Sequence, residues 1–315
     1  MLPGERPQPN TARDDAARPI PCPDTPEVAR DARLLTPVPP LPLAHGNLSD
    51  HDAAELRALK QQIQASVGFF CEGYKERCLR RRIAVRMRAR AVHTYAEYGT
   101  LLRTDAAEYE RLVDALTINV SKFYRNPEVW EMLARRILPE LCALPDPVIR
   151  IWSAGTASGE EAYSASIMVQ EYARDYGADV ARFEILGTDI DRDSLAYAAR
   201  AEYTDFAMTD IDAELSARWF DHDGLHRLRP EARRIVRFDT LDLIRDPFPQ
   251  KQHLILCRNV IIYFERTVQE ELFARFHDAL VPGGILVLGK VEALFGAPAG
   301  LFQSLANRQR IFRRT

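Results

Sequence analysis

The sequence predicts an α/β fold, a mostly parallel sheet with helices between its strands, and it places a helical region in front of that sheet. Three features point there. Between Val148 and Ser164 an apolar run (Val148, Ile149, Ile151, Trp152) meets a loop of small residues, Ser153 to Gly159, and Glu160 then opens a helical pattern. Further apolar runs alternate with helical patterns toward the C-terminus: FEILGTD at 183–189, HLILC at 253–257 and ILVLG at 285–289. Between Ser49 and Leu116 apolar residues recur at helical spacing instead, with no strand pattern among them.

A chain of 315 residues can hold two domains and bury a sizeable core. The formal charge of −3 excludes no partner class, because distribution matters more than the sum. Five scattered cysteines (Cys22, Cys71, Cys78, Cys142, Cys257) form no CxxC pair, so neither a zinc site nor a disulfide framework is expected, and a reducing cytoplasm is the natural setting. No apolar run approaches about 18 residues. The N-terminus lacks the charged-then-apolar signal pattern, so a soluble, unexported chain is expected.

Residues 1–47 are crowded with proline and lack aromatics, so a disordered tail is expected. The segment 48–117 reads as a helical domain. Ser49 with Asp52 resembles a capping box, and Leu56, Leu59 and Ile63 follow at helical spacing. A second helix, near Tyr74 to Val92, carries Lys75, Arg77, Arg80, Arg81, Arg82, Arg86, Arg88 and Arg90 against the single acid Glu76, with Leu79, Ile83 and Met87 four apart as a buried stripe. Its arginines are expected to face water. Solvated helix faces normally mix signs, so Arg77, Arg80, Arg81, Arg82, Arg86 and Arg88 are candidates for docking an acidic partner. Thr94 with Glu97 starts a third helix and Thr104 or Asp105 a fourth.

The remaining segment, 118–315, opens on a connector in which Asn119, Ser121, Lys122 and Arg125 interleave with Val120, Phe123 and Tyr124. Such a strip suits a ligand contact, and equally an interdomain linker. Asn126 and Pro127 then mark N-cap and first turn of another helix. After the glycine loop a helix runs from Glu160 to about Tyr176, and Asp191 caps the helix that follows the FEILGTD strand. About residues 203–236 the rhythm breaks: GLHRL and RRIVRF read as two short antiparallel strands inserted in the α/β domain. A helix from Glu265 to Leu280, a turn at Pro282–Gly284 and a last strand near Arg310–Phe312 complete the chain.

In open α/β sheets ligands bind outside the carboxyl ends of the strands. There the chain delivers the glycine loop with Glu161, then Asp189, then Arg258, Asn259 and, one apolar turn later, Tyr263. The loop is neither GxxxxGK[ST] nor GxGxxG. Two acids at the helix start would repel a pyrophosphate, so a ligand with a positive group fits better. An ionised Asp189 only accepts hydrogen bonds and suits the two hydroxyls of a ribose. S-adenosylmethionine, a ribose carrying a sulfonium and an α-amino group, meets both conditions, whereas NAD and FAD meet acid-free loops. An ordinary βα turn with helix-start acids carries the same residues.

The run NVSKFYR, then WSAGTASGEEAYS, GTDID, CRNVIIYF and PGGILVLGKVE, in this order and spacing, resembles the CheR-type chemoreceptor glutamate methyltransferases from about residue 50 to the end. The resemblance implies a Rossmann-like class I methyltransferase sheet with an inserted small antiparallel β-subdomain and an N-terminal all-α domain. It implies transfer of a methyl group from S-adenosylmethionine, leaving S-adenosylhomocysteine, to glutamate carboxylates of chemoreceptors. Carried onto this sequence, its cofactor contacts fall on Asn119, Ser121, Arg125, Gly155, Glu161, Asp189, Asp242, Leu243, Arg258 and Asn259. Arg125 would lie near the reacting end, Glu161 on the amino group, Asp189 on the ribose and Tyr263 beside the methyl group. Ser121 stands where threonine is common and Asp242 where asparagine is frequent, which keeps an acceptor but loses a donor. The basic helix would meet the acidic helical bundle of a receptor's cytoplasmic region. FDHDGLHRLRP lacks the Gly-rich loop with which some members grip a receptor's C-terminal tether, so no tether binding is expected. A monomer without nucleic-acid or membrane contacts is expected; a nucleic-acid methyltransferase and a non-catalytic cofactor-sensing scaffold are the rival readings.

Overall fold

The computed structural model describes residues 48–117 and 121–315; the proline-rich tail and Asn119 lie outside the described residues. The helical region consists of α1 (Asp50–Val67), α2 (Glu76–Ala89), α3 (Tyr95–Thr104) and α4 (Ala106–Leu116). The caps at Ser49 and Thr94 are those the sequence specifies, while Asp105 precedes α4 without a side-chain capping bond. Ser49 Oγ accepts from the Asp52 N–H, Gly68 ends α1 in the left-handed region at φ +73°, and Thr94 and Glu97 form a reciprocal capping box. Leu56, Leu59 and Ile63 of α1 bury against Leu79, Ile83 and Met87 of α2 and Tyr98, Leu102 and Leu112 of α3 and α4. Among the described residues no helix is long and apolar enough to cross a membrane.

Asn126, itself left-handed at φ +60°, leads into α5 (Pro127–Met132), which continues through a π turn to α6 (Leu138–Cys142). The sheet region then alternates β1 (Ile149–Ala154), α7 (Glu160–Tyr176), β2 (Phe183–Asp189) and α8 (Arg192–Arg200). The inserted part holds β3 (Glu202–Tyr203), α9 (Ala213–Trp219), β4 (Phe220–His222), β5 (His226–Leu228) and α10 (Pro230–Arg233). Finally come β6 (Val236–Thr240), β7 (Gln252–Cys257), α11 (Arg266–Ala279), β8 (Leu280–Leu288), β9 (Phe302–Ala306) and β10 (Ile311–Arg314).

The main sheet runs β6-β2-β1-β7-β8-β10-β9, parallel from β6 to β8 and antiparallel at β10 and β9. Chain order reverses between β1 and β7, which opens a crevice at their carboxyl ends. Strand alternation divides the core. Ile149, Ile151, Leu254, Leu256, Ile285 and Val287 face α7 and the α5–α6 segment, while Trp152, Ile255, Cys257, Leu286 and Leu288 face Leu272, Phe273 and Phe276 of α11.

Two expectations are corrected, and one strand was not anticipated. RRIVRF is no part of the inserted sheet: Val236–Thr240 pairs in parallel with β2 as the edge of the main sheet, and the small antiparallel sheet is β3-β5-β4. Its weak apolar pattern belongs to a half-exposed edge strand. Pro282–Gly284 is no turn before a strand but an irregularity inside β8, whose register to β7 shifts between Gln252 and Leu254. The antiparallel partner of the last strand, β9, has a pattern too polar to announce itself.

The helical region is bonded to the sheet region at one point that matters for function. Tyr74 forms an antiparallel bridge with Phe264, the Lys75 N–H donates to the Tyr263 C=O at 2.8 Å, and the Glu265 N–H to the Gly73 C=O at 2.9 Å. Lys75 Nζ adds a bond to the Ile262 C=O at 2.8 Å. The start of α2 is thereby fixed beside Tyr263.

Candidate active site

The floor of the crevice is the loop after β1. The N–H groups of Gly155 and Thr156 both donate to the Thr188 C=O at 2.8 Å, which holds the loop against the end of β2. Gly155 sits at φ +75°, and a Cβ there would lie 2.5 Å from Val260 Cγ2, so conformation and space both require glycine. Asp189 ends β2 with its carboxylate under the same loop. Its Oδ2 accepts from the Ala157 N–H at 2.8 Å and its Oδ1 from the Asp191 N–H at 3.0 Å.

On one side lies a polar pocket lined by Ser121, Lys122, Arg125, Glu161 and Arg258. Glu161 stands 3.6 Å from Arg258 and accepts from Ser153 Oγ at 2.9 Å. Burial pushes the Glu161 carboxyl above the usual carboxylate range, with Arg258 and Ser153 acting against it, and burial likewise lowers Arg258. The guanidinium nevertheless keeps its proton and faces the Glu161 carboxyl. Arg258 also donates to the Arg125 C=O at 2.7 Å and to Asn126 Oδ1 at 3.0 Å. It thus ties the end of β7 to the start of α7 and to the strip before α5.

On the other side is a more apolar pocket lined by Tyr74, Leu116, Ile190, Leu241, Leu243 and Val260, with Asp189, Asp242 and Tyr263 as its polar groups. Gly155, Asn259 and Val260 line both pockets and make them one cleft. Asp242 accepts the Ile244 N–H on Oδ1 at 2.8 Å, a local turn bond that asparagine would also make, and burial raises its carboxyl. Tyr263 lies at the rim, its hydroxyl raised by burial, with the Arg82 guanidinium 5.5 Å over its ring. Arg125 is close enough for its charge to bear on both Tyr263 and Glu161.

The structure therefore brings together Ser121, Arg125, Gly155, Glu161, Asp189, Asp242, Leu243, Arg258, Asn259 and Tyr263. It divides the arginine set of α2. Arg77, Arg81 and Arg88 are exposed, one face of the helix with the half-exposed Val85 between them. The others do not face water as expected. Arg80 is buried; Arg82 Nη1 donates to the C=O groups of Ala115 at 2.6 Å and Leu116 at 2.9 Å; Arg86 makes a two-pronged pair with the buried Glu108. Arg90, too, bonds Asp105 and Glu108. Acids and carbonyl ends of α4 thus neutralise half of what reads in one dimension as an unpaired basic run.

Glu292 carries no marked role in the sequence reading, yet it organises the rim. This buried carboxylate accepts the N–H groups of Asn259 at 2.9 Å, Ile262 at 3.3 Å and Gly289 at 2.6 Å, and so shapes the segment that presents Asn259 and Tyr263. Tyr74 was equally silent. The available signal was Glu292's place at the end of GKVE, an acid directly after a buried strand.

Residues 119–311 match the family model described as CheR methyltransferase, SAM binding domain, and residues 54–117 that of CheR methyltransferase, all-alpha domain. The chain belongs to the CheR methyltransferase family. Curated relatives agree. A chemotaxis protein methyltransferase of Listeria innocua is 31% identical over 74% of this chain and 87% of its own. Chemotaxis protein methyltransferase 1 of Pseudomonas aeruginosa is 32% identical over 78% and 92%, and the Escherichia coli chemotaxis protein methyltransferase 29% over 76% and 84%.

The cofactor of this CheR-family enzyme is S-adenosylmethionine, and the cleft fits it on two counts. Asn259 Oδ1 is buried without a partner, and Asn259 lines both pockets, where a ligand's hydroxyl or amino group can satisfy it. Gly155 presents its backbone to both halves of the cleft, with Val260 packed where a Cβ would stand.

Proposed function

We propose that this methyltransferase esterifies glutamate side chains of chemoreceptors, with the polar pocket taking the amino-acid end of S-adenosylmethionine and the apolar pocket its nucleoside. When bound, the cofactor supplies an electrophilic methyl group on a sulfonium. Asp189 accepts the ribose hydroxyls, Leu243 and Leu241 cover the base, and Asp242 serves its edge. Glu161 takes the α-amino group, which moderates the cost of a buried carboxylate, while Arg258 and Ser121 complete the polar end. Asn119 is assigned to the same end by the family pattern.

A substrate glutamate needs no general base, because a carboxylate with a reference pKa of about 4.3 is already ionised at neutral pH. What remains is alignment and exclusion of water. Tyr263 at the rim donates its O–H to the incoming carboxylate, and Arg125 orients it by charge. The acidic receptor helix docks on Arg77, Arg81 and Arg88, at the end of the cleft where α2 is bonded to the Tyr263 segment. That bond is the observation that carries the reading: it couples an exposed basic face to Tyr263 at the mouth of the cleft.

The location is cytoplasmic, with the receptor's signalling region, and the enzyme acts as a monomer that ignores nucleic acid. No tether peptide is required. The β4–β5 hairpin closes over the short turn Asp223–Leu225, which leaves no long loop to hold one. A calorimetric titration with a receptor C-terminal peptide should give no heat of binding; clear saturation would contradict this. The reading as a whole is tested by incubating the chain with methyl-labelled S-adenosylmethionine and a receptor cytoplasmic fragment. Label that is released as methanol by mild base supports an ester. Base-stable label, or label found on RNA, supports the nucleic-acid reading instead, and tight cofactor binding with no transfer supports the scaffold.

A further inference from the structure

We propose that the inserted β-subdomain carries a divalent transition-metal site, of the kind zinc occupies, built from Asp205, His222 and His226. Cysteine spacing gives no hint of it, because the ligands are imidazole and carboxylate drawn from separate elements. His222 and His226 are register partners at the closed end of the β4–β5 hairpin, their rings 4.5 Å apart between centroids. Asp205 begins the 3₁₀ turn Asp205–Met208 after β3, and its Oδ1 stands 2.9 Å from His226 Nε2. One ligand atom from each of the three lies within 4.8 Å of the others. Donors around a tetrahedral zinc with bonds of about 2.0–2.1 Å are spaced about 3.3 Å apart, so small side-chain rotations close the site.

The surroundings favour a cation there. Alternation along the hairpin places His222 and His226 on the face of Phe220 and Leu228, while Asp221 and Arg227 occupy the other face. Arg227 is engaged there by Glu202 and Asp223, and Arg229 by Asp221, so these guanidinium groups are held by other acids and do not compete for Asp205. Two imidazoles and a carboxylate suit zinc, nickel or copper rather than magnesium or calcium. With three protein ligands the coordination sphere keeps a position for water or for a donor from outside. The site would also brace the cleft. The Ala207 C=O of the same 3₁₀ turn accepts the Phe123 N–H at 2.9 Å, within the strip that carries Ser121 and Arg125.

The test is calorimetric titration of metal-free full-length chain with zinc chloride, beside His222→Ala/His226→Ala and Asp205→Asn. The parent should take up about one zinc per chain at this site, the double variant should lose that uptake, and Asp205→Asn should weaken it roughly tenfold or more. Zinc should raise the thermal midpoint of the parent and not that of the double variant. Asp205 and His222 are exposed, His226 is half-buried and none of the three lines the cleft, so S-adenosylhomocysteine binding by the double variant should match that of the parent when both are metal-free, and report an intact fold. Equal zinc uptake by parent and double variant, or none by the parent, overturns the proposal. This result is independent of whether the chain methylates receptors.

Discussion

At the scale of single residues the proposed function separates holding from reacting. Arg258, Asp189 and Glu292 are each engaged by several protein groups, so they are placed before any ligand arrives. Tyr263 stands at the rim and Arg125 lines the polar pocket, where the proposed function has them meet the substrate. Loss of a hydrogen bond to a charged group costs about 1.5–3 kcal/mol, so Tyr263→Phe should slow turnover by roughly tenfold to a hundredfold. Arg125→Ala should cost on the order of a hundredfold through misplacement of the reacting carboxylate. Tyr263→Phe should keep S-adenosylhomocysteine affinity within a few-fold in binding assays, whereas Arg125→Ala, which removes a side chain lining the polar pocket, should also weaken it. Full activity in both would refute the assignment. Asp242 is explained by the same local reasoning: its Oδ1 makes a turn bond that needs only an acceptor, so aspartate can replace asparagine there.

Among the elements, the loop after β1 and the first turn of α7 concentrate buried acid. Burial raises the carboxyls of Glu160, Glu161 and Asp189, and that of Glu292 across the cleft, above the usual range. The sign follows directly. A carboxyl that holds its proton more tightly when folded contributes stability fully below the unfolded value of about 4, and that contribution is lost as pH rises through the raised folded value. Without cofactor, the thermal midpoint should therefore fall as pH rises across this window. Glu161→Gln should flatten the slope, whatever its effect on absolute stability, since Arg258 loses its partner. An unchanged slope would show that Glu161 is not among the groups responsible. How much of this was legible in sequence follows from range. Caps, the glycine loop and the buried strands were readable because their causes lie within a few residues, as with Ser49, Thr94, Gly155 and Asp191. The parallel edge strand β6 was not, because its partner β2 lies far away in the chain and its own pattern is half polar. The pairing of Arg86 with Glu108 was hidden for the same reason.

For the whole molecule, the basic helix and the cleft form one device because the Gly73–Lys75 segment is bonded to the Ile262–Glu265 segment. The division of the arginines decides which variants can test it. Arg82 supports the end of α4 and the Tyr263 ring, so reversing its charge would disturb the fold. Arg77, Arg81 and Arg88 support nothing inside the molecule on the bonds described. Replacing these three by glutamate should abolish receptor methylation at physiological salt while leaving cofactor binding and thermal midpoint near those of the parent. Retained methylation would remove the docking face. The most direct measurement is mass spectrometric mapping of a receptor cytoplasmic fragment after incubation with the chain and S-adenosylmethionine. Methyl groups confined to glutamate side chains on its acidic helices, and lost on base treatment, are the result predicted here. A fragment left unmodified by active, cofactor-loaded chain, or methylated on nitrogen, would contradict it.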